Sequence, residues 1–161
     1  MEHTASGAIR KKILPVICVI HLLSCTTINV FEKNISFRDH EWSNSSRPSI
    51  RFNITDTVSL YNLYVVIRHA DAYNYNNIWM NIYTKSPGDS VKVQPLDLLL
   101  ADNIKGWLGT GMDDIFEHRI RITSAPVQLK RSGEYQFTFE QIMREEPLQH
   151  ILNVGLRIEK Q

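Results

Sequence analysis

The chain has 161 residues, with 18 Lys and Arg against 17 Asp and Glu, a formal net charge of +1 and 43% hydrophobic residues. That balance leaves no basic stripe of the kind that holds nucleic acid, and the length suits one domain with a single core. The only two cysteines, Cys18 and Cys25, both lie near the N-terminus, so the body of the chain has neither a disulfide framework nor a cysteine-based metal site.

Arg10-Lys11-Lys12 precede an apolar run from Ile13 to Leu23, broken only by Pro15 and His21. The run is shorter than the ~20 residues that span a membrane and matches the roughly 7–15 of a signal-peptide core. It ends in Leu22-Leu23-Ser24-Cys25, which looks like a bacterial lipobox, although a residue smaller than Leu23 is more usual. Residues 1–24 are therefore expected to be a lipoprotein signal, with Cys25 alkylated by diacylglyceryl and acylated at its new N-terminus. Cys18 would leave with the signal. An uncleaved anchor or a buried helix are the alternatives; His21, Ser24, Thr26, Thr27 and Asn29 make a poor span, and the basic flank argues against a core helix. Removing Arg10, Lys11, Lys12 and Glu2 leaves 15 basic and 16 acidic residues.

Residues 25–48 are rich in Ser, Asn and charge and read as a tether or first strand, with the folded domain at 49–161. From Ile50 onward the pattern has period two: Ile50, Phe52, Ile54; Leu63, Val65, Ile67; Ile78, Met80, Ile82; Tyr135, Phe137, Phe139; and Leu152, Val154, Leu156, Ile158. Such alternation predicts strands with one buried face. Ser86-Pro87-Gly88-Asp89 and Ser132-Gly133-Glu134 supply turns. Short helices are expected at Met112–Phe116 and at Gln141–Glu146, the latter stopped by Pro147. The expected fold is all-β: an antiparallel two-sheet β-sandwich, jelly-roll or Ig-like, with one or two short helices. A closed barrel is the alternative.

Candidate chemistry is sparse. His40, His69, His118 and His150 show no zinc-ligand spacing, and His118 shares a face with Phe116, Ile120 and Ile122, as a core histidine would. Asp113-Asp114 are adjacent carboxylates that cannot face each other as an acid and base; one is expected to cap a turn after Gly111. The stretch His69–Asn77 holds many oxygen ligands but one carboxylate, Asp71, which suits a loop better than calcium. No catalytic residue, cofactor or metal is expected. Trp79, Asn81 and Tyr83 fall on the side of their strand opposite the core, a possible surface for a glycan or a protein; packing under a loop is the plainer reading. Gly106, Gly109 and Gly111 flank Trp107-Leu108. That density of glycine suggests positive φ and close backbone approach, with a buried Trp107 fixing a crossover between sheets.

Several runs together resemble one family. Leu100-Ala101-Asp102, Gly106-Trp107-Leu108-Gly109, Gly111 and Asp114-Ile115 form its central signature. Gly133-Glu134-Tyr135, Phe137, Phe139-Glu140-Gln141 and Met143-Arg144, then Leu152–Glu159, form its C-terminal one, and Tyr61–Arg68 with Tyr75–Ile78 an earlier one. These are similar to the GldH-type gliding-motility lipoproteins of Bacteroidetes-type bacteria, over nearly the whole mature chain. The resemblance implies a non-enzymatic lipoprotein of the cell envelope, held to the membrane through Cys25 and working with other envelope or motility proteins. Many relatives occur in bacteria that do not glide. Thr26, with no acidic tract after Cys25, implies the outer membrane, facing the periplasm. Asp56-Thr57-Val58 and Asp89-Ser90-Val91 fit the Asp-Ser/Thr-aliphatic pattern that these bacteria O-glycosylate, which nominates Thr57 and Ser90; turn chemistry is the alternative role. The Asn-x-Ser/Thr sequons at Asn34, Asn44 and Asn53 carry little weight in a bacterium. A carbohydrate-binding module centred on Trp79 is the rival function.

Overall fold

The computed structural model describes residues 30–161. The signal segment and Cys25 lie outside the described residues. The chain enters through β1 (Val30–Ser36), a 3-10 turn at Arg38–His40, β2 (Glu41–Trp42), β3 (Ser49–Ile54), β4 (Leu60–Ala70), β5 (Asn77–Lys85) and β6 (Lys92–Leu99). It continues through β7 (Ala101–Asp102), β8 (Gly106–Trp107), β9 (Thr110–Met112), β10 (Ile115–Arg121), β11 (Val127–Gln128), β12 (Gly133–Gln141), β13 (Leu148–Gln149) and β14 (Ile151–Lys160).

Two antiparallel sheets form the sandwich. One has the order β1-β14-β4-β10-β9, with β11 beside the start of β4; the other has the order β3-β12-β5-β6. Among the described residues both are open at their edges, a sandwich and not a closed barrel. β2 with β13 and β7 with β8 make two small ribbons. The alternating residues meet as the period predicts: Ile50, Phe52, Ile78, Met80, Ile82, Phe137 and Phe139 of one sheet pack on Leu63, Val65, Ile67, Val154 and Leu156 of the other, all buried. At roughly 1.5–3 kcal/mol for each fully buried side chain, this interior is the main stabilising term.

Three local expectations fail. Leu152 does not open the buried face of β14. The register shifts between Ile151 and Asn153, so Ile151 takes the core position and Leu152 is the extra residue of a bulge. Residues 112–116 are not helical: Met112 pairs with Ile115, and Asp113-Asp114 make a two-residue hairpin turn, Asp113 with φ 53°. Phe116 is claimed by the sheet, where it pairs opposite His69. The Gln141–Glu146 helix is replaced by a loop in which side chains supply the partners. The Met143 amide donates to Gln141 Oε1 at 2.8 Å, the Ile142 amide to the Trp79 carbonyl at 3.0 Å, and the Gln141 amide group to the Trp42 carbonyl and Glu146.

The sandwich has two distinct ends. Val30 pairs with Glu159, and Glu159 with Asn62 near the start of β4. The far end of β4, at His69 and Ala70, carries the β9–β10 turn. Seven residue steps along the strand lead from Asn62 to His69, about 23 Å at 3.3 Å each.

Candidate functional site

At the far end, two histidines meet inside the sandwich. Tyr61, Leu63, Val65 and Ile67 face inward along β4, and the same alternation brings in His69, which is fully buried. His118 does the same on β10 and is 3% exposed. The Nε2 atoms are 2.9 Å apart and the rings are stacked at 5.0 Å. His69 Nδ1 lies 2.8 Å from the Ala70 carbonyl. A carbonyl only accepts, so Nδ1 carries the hydrogen, and the neutral His69 ring leaves Nε2 bare to accept from His118 Nε2–H. Burial pushes both pKa values down, and the neighbouring His69 adds to the effect on His118, which falls to about 4. The pair is therefore neutral at pH 7. It offers two nitrogens, and among the described residues no group of three His, Cys, Asp or Glu gathers for a metal.

The glycine-rich segment covers this pair. Asp102 Oδ1 accepts from the Ile104 and Lys105 amides at 2.8 and 3.0 Å, and Gly106 takes φ +74°, which closes the β7–β8 ribbon. Trp107 then lies on His69 with ring centroids 4.3 Å apart, and its Nε1–H donates to Asp71 Oδ1 at 2.7 Å. Trp107 is thus a partly buried lid over His69, on a short ribbon within the crossover from β6 of one sheet to β9 of the other; it is less buried than the sequence led one to expect. The Leu108 amide donates to the Leu100 carbonyl at 2.8 Å, leaving the Leu108 side chain 46% exposed. Gly109 is required by space: a Cβ there would sit 2.6 Å from the Glu117 carbonyl oxygen and 2.8 Å from His118 Nε2. At Gly111 a Cβ would meet the Phe116 ring at 2.8 Å. The Asp114 carbonyl accepts from the Asp71 amide at 2.7 Å, tying the hairpin turn to the same loop that holds Trp107. Period-two reasoning put His118 on an inner face but read His69 as the start of a loop. What it lacked was the β4–β10 register that makes them neighbours.

Trp79, Asn81 and Tyr83 share the outer face of β5, where Trp79 is 44% exposed. Asn81 and Tyr83 are not free. Glu140 on β12 accepts from Asn81 Nδ2 at 3.1 Å, from the Tyr83 hydroxyl at 2.5 Å and from the Arg47 guanidinium, which also lies 5.6 Å from the Tyr83 ring centre. The Tyr83 hydrogen bond leads the causes that hold the Glu140 carboxyl below its ordinary value, and the same bond raises the Tyr83 hydroxyl. Arg47 and Glu140 were not visible as site residues in the sequence; only the Glu140–Asn81 pairing reveals them. Thr57 and Ser90 both lie at the Val30 end. Thr57 is partly exposed in the β3–β4 turn, where Asp56 Oδ1 accepts from the Val58 and Ser59 amides, each at 3.0 Å. Ser90 is exposed after the turn in which Arg131 pairs with Asp89 at 3.0 Å.

Residues 29–158 match the GldH lipoprotein family. The chain belongs to this family. It is 28% identical over 149 residues to a gliding motility lipoprotein GldH homolog of Christiangramia forsetii, covering 88% of this chain and 90% of that protein. It is 28% identical over 151 residues to the gliding motility lipoprotein GldH of Flavobacterium johnsoniae, covering 89% and 92%. Among solved structures, the infectious bursal disease virus VP2 subviral particle is similar at a TM-score of 0.37 and 10% identity, over 80% of this chain and 32% of the viral chain. That likeness carries no functional argument. The glycine-rich segment Gly106–Asp114 is the cover of the histidine pair.

Proposed function

We propose that this protein is a lipid-anchored, non-enzymatic component of gliding-motility or related envelope machinery, held at the outer membrane and facing the periplasm. The observation that carries the reading is the GldH family match across residues 29–158, directly after a lipobox-like Leu22–Cys25. Several acyl chains on Cys25, at about 0.8 kcal/mol per buried CH₂, make a firm anchor. Val30 stands at the Asn62 end of β4, so an anchor at Cys25 leaves the Trp107 cover at the opposite end, pointing away from the membrane. That cover, where Ile104, Leu108 and Met112 are exposed, is a surface for other envelope proteins. Cys25→Ser is expected to move the protein from the membrane to the soluble periplasmic fraction and to impair motility, secretion or envelope assembly. A variant that stays membrane-bound with all three unchanged refutes the reading. Shaving of intact cells by protease tests the facing; efficient cleavage contradicts it.

The exposed Trp79 beside the Glu140 network favours a second reading, a glycan-binding face, and a glycan array with Trp79→Ala as control distinguishes it. Thr57 and Ser90 are proposed O-glycosylation sites at the membrane-facing end. A mature mass equal to protein plus lipid removes them.

A further inference from the structure

We infer that the free edge of β10 is a docking site for an extended, acidic peptide segment of a partner protein. β9 pairs with β10 only from Met112–Ile115 to Thr110–Glu117. Beyond that the Leu108 amide turns to the Leu100 carbonyl and draws the chain away. Among the described residues, His118–Arg121 of β10 then have β4 on one side and no strand on the other. The two-residue turn makes Met112–Ile115 a mutually hydrogen-bonded pair, and alternation gives Glu117 the same character. Arg119 and Arg121 have that parity too, so their N–H and C=O groups point out of the sheet edge.

The edge opens on a groove of about 470 Å³ between the two sheets. Leu99 and Leu108, 57% and 46% exposed, and the half-buried Ile120 give it an apolar floor. The outer side is cationic. Glu117 is shared between Arg68 at 3.4 Å and Arg119 at 2.8 Å, while the Arg121 guanidinium donates to the Ser124 carbonyl at 3.1 Å. A strand added here would place alternate side chains on the leucines and beside the arginines. The complement is a segment that alternates apolar and acidic residues. A second copy joined edge to edge would set arginine against arginine, which is unfavourable. β1, where the described chain begins, is at the other side of the same sheet, so an N-terminal anchor leaves this edge open.

The test uses the full chain in detergent micelles and a fluorescein-labelled decapeptide of alternating valine and glutamate. Anisotropy is expected to report binding that weakens with salt and is at least tenfold weaker for a valine–lysine peptide. Arg119→Pro removes one outward N–H without touching the β4 ladder, and a peptide N-methylated at alternate residues removes the matching donors. Arg119→Pro should cost at least about tenfold, since it removes one backbone hydrogen bond and one cation, and the N-methylated peptide more, since it removes the donors to both the Arg119 and Arg121 carbonyls. By NMR, the Arg119 and Arg121 amides should exchange quickly in the free protein and slowly with peptide. If Arg119→Pro does not fold, the N-methylated peptide decides. No anisotropy change, binding indifferent to N-methylation, or slow exchange at both amides in the free protein overturns the proposal. So does a dimer by sedimentation whose Arg119 and Arg121 amides are protected, since the edge would then belong to a second copy.

Discussion

The histidine pair makes stability depend on pH in a defined window. Burial depresses the folded pKa values of His69 and His118, the latter to about 4, against an ordinary value of 6.5. Between these values the unfolded chain takes up a proton that the folded chain refuses. Stability is therefore complete above pH 6.5 and falls as the pH drops toward 4, at up to 1.36 kcal/mol per pH unit for one group. From pH 7 to pH 5 His118 alone accounts for a loss of about 2 kcal/mol, and His69 acts in the same direction. Glu32 and Glu140, whose carboxyls are held below their ordinary value, lose their contribution only at lower pH. The assay is urea unfolding at pH 7, 6 and 5, for the wild type and for the double variant His69→Leu with His118→Leu. Replacing both partners avoids an orphaned buried nitrogen, so the double variant should be near neutral at pH 7. Its loss between pH 7 and 5 should shrink by at least about 2 kcal/mol. Equal slopes for the two proteins would refute both the burial of the pair and its neutral state. The single variant His118→Leu leaves His69 Nε2 without a donor and should cost about 1–3 kcal/mol at pH 7.

Four further outcomes are expected. Gly109→Ala forces a Cβ to within 2.6 Å of the Glu117 carbonyl and should destabilise by about 1–3 kcal/mol in urea unfolding. Gly106→Ala meets open space but strains φ +74°, so about 1–2 kcal/mol is expected there, with the histidine pair undisturbed in NMR spectra. Trp107→Phe keeps an aromatic ring on His69 and loses the bond to Asp71, so it should cost about 1 kcal/mol by chemical denaturation. Glu140→Gln removes the carboxylate that holds the Tyr83 hydrogen, so phenolate absorbance should show Tyr83 titrating at lower pH than in the wild type.

Period-two patterning is a local property, so the sequence by itself determined the strands of Ile50–Ile54, Leu63–Ile67, Ile78–Ile82 and Tyr135–Phe139, and with them an all-β fold; sandwich over barrel was decided by the strand pairing. The glycine-rich run was legible as a special segment because glycine without evident turn chemistry signals close approach. What approached it was not legible. His69 and His118 are 49 residues apart, and only the β4–β10 register joins them. Glu140 meets Asn81 across a gap of 59 residues for the same reason. The failed helices at Met112–Phe116 and Gln141–Glu146 show tertiary pairing overriding weak local preference: Phe116 gains more from the sheet than from a single helical turn, whose nucleation is unfavourable. The lipobox-like Leu22–Cys25 is a linear signal, legible without any fold. The polarity of the domain and the free edge of β10 belong to the tertiary structure alone, because each depends on which strands lie side by side.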